Sequence, residues 1–184
     1  MKTKCWSALL AIATLALTTP ALANSTNEPQ LKFSCQIREG VPVTIAESTQ
    51  SSAKLPIFHW KPAALRYRSS DSPQQLCNMV SKKLENYSAQ GYDLSSISFV
   101  GTEQSNLPVI CANAGQSDCS KILLTLHPDL ESEPETVAQN VVDLILDKNL
   151  QQTKVETVAR GVQSISYQVD FWSLLGLKPK FLGK

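Results

Sequence analysis

The sequence predicts an α+β domain with a mainly antiparallel sheet of about six or seven strands and two amphipathic helices. Three observations lead to this class. Short runs in which apolar and polar residues alternate outnumber runs with helical spacing. The two helical runs each follow a capping-box pattern. The strand patterns mostly succeed one another through turns, without regular strand–helix alternation, which favours hairpins.

The composition fits one folded domain. The chain has 184 residues, of which 42% are hydrophobic, so it can bury a core. Its formal net charge is +1, and no long run of like charge occurs. A nucleic-acid-binding protein needs a basic patch that neutralises several phosphates, so no nucleic-acid partner is expected.

The N-terminus has the three parts of a secretory signal peptide. Lys2 and Lys4 precede an apolar run from Trp6 to Leu17, and the triplet Ala21-Leu22-Ala23 follows. The run is too short to cross a bilayer of about 30 Å, and the alternative is an ordinary N-terminal helix. Cleavage after Ala23 would place the protein in the periplasm, the thylakoid lumen or the extracellular space. The expected division is a signal peptide over 1–23, a flexible tail over 24–30, a single domain over 31–172 and an apolar, basic tail over 173–184.

Three strands are predicted in the first part of the domain. Leu31, Phe33 and Cys35 alternate with polar residues, which is the period of a strand. Two further short strands are expected over 43–45 and 56–60. The serine-rich stretch 47–54 between them has the composition of a loop.

Two amphipathic helices follow from capping boxes and spacing. The first begins at Ser72 and Gln75 and ends at Gly91; the second begins at Ser132 and Glu135 and ends near residue 149. Their apolar faces are Leu76, Val80, Leu84 and Tyr87 in the first helix, and Val137, Val141, Leu144 and Ile145 in the second.

Four more strands are predicted in the second half of the chain. They cover residues 97–99, 107–111, 121–126 and 165–171. The chain is expected to turn between Gly101 and Asn106. The strand over 121–126 is nearly continuous in apolar residues, which is typical of a strand buried on both faces.

Four cysteines remain once the leader, which contains Cys5, is removed: Cys35, Cys77, Cys111 and Cys119. An even number in an exported chain indicates disulfides, and four cysteines allow three pairings. The short separation of Cys111 and Cys119 favours a clasp between two strands, which leaves Cys35 to pair with Cys77. A zinc site is the competing interpretation, but the paired short spacings that it needs are absent.

Several segments, taken in order, resemble the circadian-oscillating protein family of cyanobacteria. They are Phe33-Ser34-Cys35, Pro56–Trp60, Cys77–Leu84, Asn106–Cys111, and Cys119 followed by Ile122–Leu126. The most specific part is the Pro-Val-Ile-Cys segment with a second cysteine and an apolar strand close behind. The resemblance implies a peripheral membrane association and no reaction, so no catalytic residue is carried over. Leu76 stands where the family is associated with a basic residue.

Two groups of residues are candidates for binding. Aromatic and basic residues could line a surface for a sugar or a peptide, although aromatic residues more often belong to a core; they are Trp60, Arg66, Tyr67, Arg68 and Tyr92. The C-terminal tail combines apolar and basic residues as an interfacial membrane anchor does, and its alternative is packing over the sheet edge. Its residues are Trp172, Leu174, Leu175, Lys178, Lys180 and Phe181.

No catalytic residue, cofactor or metal ion is expected. The histidines, His59 and His127, fit ordinary structural roles, and no G-x-S-x-G elbow is present for a nucleophilic serine. An acidic cluster is interpreted as favourable charge at the start of the second helix and not as a cation site. It comprises Asp129, Glu131, Glu133 and Glu135.

Two functional hypotheses follow. The favoured one is an exported, non-enzymatic domain that binds an envelope protein or a membrane surface. The alternative is a small secreted hydrolase, or a hydrolase inhibitor that presents the Cys111–Cys119 loop as a rigid segment. A deep polar cleft with a histidine beside a serine would favour the enzyme.

Overall fold

The polypeptide folds into two antiparallel sheets that share a core. The computed structural model describes residues 31–63, 71–92, 94, 96–114, 119–129, 131–159 and 162–177. The predicted signal peptide and N-terminal tail lie outside these residues and stay predictions. The α+β class is confirmed, but the expected single sheet is instead divided into a sheet of three strands and a sheet of five.

The first sheet is a meander of consecutive strands. It contains β1 (Leu31–Arg38), β2 (Val41–Ser48) and β3 (Lys54–His59), in that order and all antiparallel. The predicted loop over 47–54 is shorter in the structure, because β2 continues to Ser48 and β3 begins at Lys54. The Ser48 Oγ accepts hydrogen bonds from the backbone N–H groups of Gln50 and Ser51, both at 3.1 Å, which holds this turn together.

A long helix packs against the first sheet. This helix, α1 (Pro73–Ala89), begins at the predicted capping box, where the Gln75 N–H donates to Ser72 Oγ and the Ser72 N–H donates to Gln75 Oε1. Gly91, with φ of +77°, follows its C-terminus in the left-handed conformation that favours glycine. The buried residues of α1 are Leu76, Cys77, Val80, Ser81 and Leu84.

The second sheet inserts the last strand of the chain between two earlier ones. It contains β4 (Ser96–Gln104), β5 (Leu107–Asn113), β6 (Ile122–Thr125), β7 (Lys154–Ala159) and β8 (Val162–Asp170). The order is β6-β5-β4-β8-β7, and every neighbouring pair is antiparallel. Three further helices are α2 (Pro134–Ile145), α3 (Lys148–Gln151) and α4 (Phe171–Leu174).

A glycine allows α2 to approach β4 closely. The turn predicted to begin at Gly101 begins instead after Gln104, because β4 runs straight through the glycine and the chain reverses at Ser105 and Asn106. A Cβ atom on Gly101 would lie 2.6 Å from the carbonyl oxygen of Ala138 in α2. Glycine is therefore required here by helix–sheet packing and not by a turn.

The ends of α2 differ from the expectation. Its N-cap is Glu133, which makes no side-chain capping bond, and the Ser132 hydroxyl donates instead to the Asp129 carboxylate at 3.5 Å. The predicted second capping box is therefore wrong. The helix ends at Ile145, four residues before the expected end, because the next residue adopts an extended conformation.

The segment after α2 joins the two sheets. Leu146 forms a β-bridge with Phe58, and the Asp147 N–H donates to the Ile57 carbonyl at 2.8 Å. The rings of Phe58 and Phe99 lie 4.8 Å apart in an edge-to-face arrangement. One cluster of buried apolar side chains therefore contains residues from both sheets.

Candidate functional site

The predicted surface around Trp60 lies partly in the core. Trp60 is 1% exposed, and its indole N–H donates to the Thr44 hydroxyl at 2.9 Å. Trp60 therefore has the core position that is the more common one for aromatic residues, and not a place on the possible binding surface. A buried hydroxyl satisfies the one polar group that the indole carries. Arg66, Tyr67 and Arg68 lie outside the described residues.

Tyr92 is exposed and packs against a lysine at the end of the larger sheet. Lys121 Nζ lies 3.8 Å from the centroid of the Tyr92 ring and donates to its hydroxyl at 2.6 Å. The Tyr87 hydroxyl and Lys83 Nζ both donate to the Ile122 carbonyl at 3.2 Å. Burial raises the pKa of Tyr87, which keeps its hydroxyl protonated as a donor. These contacts satisfy backbone groups of the edge strand β6, which gives the cluster a structural role.

Two disulfides join the cysteines in the expected pairs. The Cα atoms of Cys35 and Cys77 are 5.5 Å apart, and those of Cys111 and Cys119 are 5.4 Å apart. The first bond ties β1 to α1, and the second ties β5 to the segment that leads into β6. Most of the loop that the second disulfide closes, residues 115–118, lies outside the described residues.

The beginning of the C-terminal tail packs against the core. Leu175 is 4% exposed and belongs to the buried cluster, whereas Leu174 is 47% exposed and Trp172 is partly buried. Leu175, which follows α4 as its C-cap, therefore packs on the domain, as the alternative to a membrane anchor expects. Lys178, Lys180 and Phe181 lie outside the described residues. No helix in the part of the chain that the structure describes is long and apolar enough to cross a membrane.

His59 makes a hydrogen bond that connects two elements. Its Nε2 lies 2.7 Å from Asp147 Oδ2, and the other carboxylate oxygen accepts the Asn149 N–H at the start of α3. The contact thus joins β3 to α3. Within the described ranges, no group of three or more histidine, cysteine, aspartate or glutamate residues is placed to hold a metal ion.

A concave polar surface lies on one face of the larger sheet. It encloses a cavity of about 650 Å³ whose lining is rich in hydroxyl groups from β4, β7 and β8. These groups belong to Ser96, Ser98, Thr102, Thr157, Ser164 and Ser166. Side chains alternate between the faces of a strand. On β4, Ser96, Ser98 and Thr102 therefore point away from the face that carries the buried Ile97 and Phe99.

A second cavity, of about 510 Å³, lies between α2, β4 and β8. Four carboxylates line it: Glu103, Glu133, Glu135 and Asp143. Asp143 Oδ1 accepts hydrogen bonds from the Tyr167 hydroxyl and from Gln139 Nε2. Burial, followed by the hydrogen bond to Asp143, raises the pKa of Tyr167, so this hydroxyl remains a donor.

The two cavities meet where β4 and β8 separate. Pairing of these strands ends at Val100 and Ser166, although β4 continues to Gln104 and β8 begins at Val162. Beyond that point β4 pairs with β5, and β8 pairs with β7. Glu103 and Glu135 line both cavities. We call this gap, with its two cavities, the β4–β8 cleft.

Sequence reasoning did not find this cleft. The serines of β4 and β8 were visible as the polar half of an alternating pattern, which is also what an ordinary solvent-facing sheet produces. Separation of two paired strands depends on their register, for which the sequence carried no local signal. Neither cavity is lined by His59 or His127.

These features define a disulfide-linked α+β domain with a polar cleft in its larger sheet. The sequence model of the family described as Circadian oscillating protein COP23 matches residues 32–175, and the chain belongs to this family. The match confirms the resemblance that the sequence motifs indicated. No match is found among curated proteins or among solved structures.

Proposed function

We propose that the protein is an exported, non-enzymatic binding domain that holds a partner from the cell envelope in the β4–β8 cleft. The observation that carries the proposal is the cleft itself, where two strands of one sheet separate between a hydroxyl-lined and a carboxylate-lined cavity. A concave site on which polar groups converge is a candidate binding site.

Export is supported by two independent features. The N-terminal sequence has the basic, apolar and small-residue parts of a signal peptide. The four cysteines of the remaining chain form two disulfides, which persist in oxidising compartments. N-terminal sequencing of the protein from its native compartment should begin at Asn24, and a chain that retains Lys2 and Lys4 would contradict export by this route.

Binding is favoured over hydrolysis by the placement of the histidines. A serine nucleophile needs a general base within hydrogen-bond reach, and the serines of the cleft have no histidine among the residues that line it. His59 is instead held by Asp147 between β3 and α3. A protein partner is favoured over a membrane surface because Leu175, an expected anchor residue, is buried.

The proposal can be tested by filling the cleft. Thr102 lies on the part of β4 that does not pair with β8, and it lines the hydroxyl-rich cavity. Because tryptophan is compatible with a strand, Thr102→Trp should obstruct binding without unfolding the sheet. The matched control is Lys82→Trp on the exposed side of α1.

Chemical crosslinking and affinity purification from the envelope fraction should compare the two variants with the unaltered mature chain. We expect the control and the unaltered chain to retain the same partner and Thr102→Trp to lose it. If Thr102→Trp retains the partner at full yield, the cleft is not the binding site and the proposal is wrong.

A further inference from the structure

Resting on the proposed function, we infer that the β4–β8 cleft binds an extended, basic segment of a partner protein, which adds to the free edge of β4 as a strand. Three observations support this inference: an unpaired strand edge inside a cleft, side chains that bond to the backbone at two other sheet edges, and the two chemically different walls of the cleft.

The edge of β4 that faces β8 is unpaired over its last four residues. Residues Gly101–Gln104 pair with β5 on one side, and among the described residues no hydrogen-bond partner is found for their other edge. Backbone N–H and C=O groups of this kind are satisfied by water or by another strand. Gly101 fixes the strand against α2, so the edge is presented by a rigid element.

Side chains engage the backbone at two other sheet edges. At β1, the Phe33 N–H donates to the Glu85 carboxylate at 2.7 Å, and the Ser88 hydroxyl donates to the Leu31 carbonyl. At β6, Lys83 donates to two backbone carbonyls. The edge of β4 in the cleft has no such cover in the part of the chain that the structure describes. Sheets extend across open edges of this type when they bind peptides.

The walls of the cleft specify the side chains of the added strand. Alternate residues of a strand point to opposite faces, so one set would meet the hydroxyl-lined cavity and the other set the carboxylate-lined cavity. Among the residues that the structure describes, no lysine or arginine lines either cavity. Lysine or arginine at every second position of the partner would therefore complement Glu103, Glu133 and Glu135, with small polar residues between them.

The direct test uses synthetic peptides of about seven residues, which is within the usual range of strand lengths. The probe is a fluorescein-labelled Lys-Thr-Lys-Val-Lys-Thr-Lys peptide, and fluorescence anisotropy measures its binding to the mature protein. One comparison peptide replaces each lysine by glutamate. Another keeps every side chain but carries N-methyl groups on alternate backbone nitrogens, which removes the donors that pair with an edge strand.

We expect the basic peptide to bind at low salt, the glutamate peptide not to bind, and the N-methylated peptide to bind at least about tenfold more weakly. Glu103→Lys and Glu135→Lys should each weaken binding by about tenfold or more. Glu131→Lys is the matched control, since this exposed carboxylate lies outside both cavities, and it should retain binding. Amide hydrogen exchange of Gly101–Gln104 should slow when the basic peptide is bound.

Two results would overturn the inference: equal binding of the N-methylated peptide, or equal loss of binding in Glu103→Lys and Glu131→Lys. The first would show attraction without strand pairing, and the second would show a response to net charge alone. If no basic peptide binds while Thr102→Trp still loses the crosslinked envelope partner, the inference fails and the proposed function stands. If Thr102→Trp also retains that partner, both are wrong.

Discussion

Replacing Gly101 by alanine should destabilise the protein more than any other glycine-to-alanine change at a described position. The new Cβ would lie 2.6 Å from the Ala138 carbonyl oxygen, which belongs to the backbone of α2 and cannot rotate away. Overfilling a packed site costs about 1–3 kcal/mol. Since the whole helix must move, and Val137 and Val141 are buried on it, we expect about 3 kcal/mol.

A loss of this size corresponds to a melting temperature lower by about 6–12 °C in a domain of this length. Thermal and urea unfolding of the mature protein, followed by circular dichroism, would measure it. Gly40→Ala is the control, because its Cβ would meet open space and only the left-handed conformation, with φ of +78°, would cost about 1–2 kcal/mol.

A Gly101→Ala variant that is at least as stable as Gly40→Ala would contradict steric conflict between β4 and α2. A second check uses the double variant Gly101→Ala with Ala138→Gly. The atoms in contact belong to the helix backbone, so removing the Ala138 side chain should add its own helix cost of about 1 kcal/mol and restore nothing. Recovery of stability in the double variant would show that side chains, and not the backbone, set the helix–sheet distance.

Three further predictions concern stability. Loss of the disulfide that joins β1 to α1 should cost about 4 kcal/mol and loss of the one after β5 about 2.6, because the first closes the longer loop; equal losses in urea unfolding would contradict the entropic explanation. Leu175→Ala should cost about 2–5 kcal/mol and Leu174→Ala less than about 0.5; a neutral Leu175→Ala in thermal unfolding would mean that the tail does not stabilise the core. The pKa of Tyr167 is raised in the folded protein, so as pH rises the Tyr167 hydroxyl loses its proton in the unfolded chain before it does so in the folded one. The free energy of unfolding should therefore fall as pH rises above about 10. Urea titrations at about pH 9 and 11 should show a smaller fall in Tyr167→Phe, and the same fall in both proteins would refute the assignment.

The features predicted correctly from the sequence are those with local causes. The Ser72–Gln75 capping box and the apolar spacing that follows it depend on contacts within one helix, and the structure has both. The cysteine pairing followed from chain separation and an even count. The second helix was placed correctly, but its start was misassigned because Ser132 bonds to a residue before the helix instead of to its backbone.

The features that the sequence did not predict depend on distant partners. β7 was not predicted. Its valines and threonine are mixed with charged residues in a short segment, and it contacts mainly β8 at the edge of the sheet. Gly101 resembled a turn residue because the backbone of α2, which it accommodates, lies far along the chain. The sequence left two positions open for Trp60, a core and a binding surface, because its buried partner, Thr44, is on another strand. The cleft could not be predicted either, because it exists only where two strands that are far apart in the sequence stop pairing.

The position of β8 also determines when the larger sheet can be completed during synthesis. β1 to β3 pair with their immediate neighbours in the sequence, so they can associate as soon as α1 has emerged. β4 emerges early but must wait for β8 before residues 96–100 of the edge opposite β5 are paired. A nascent chain that is halted before β8 would expose that edge along its whole length and would be prone to aggregation. Synthesis of β8 is therefore the step that protects this part of β4 from association with other incomplete chains.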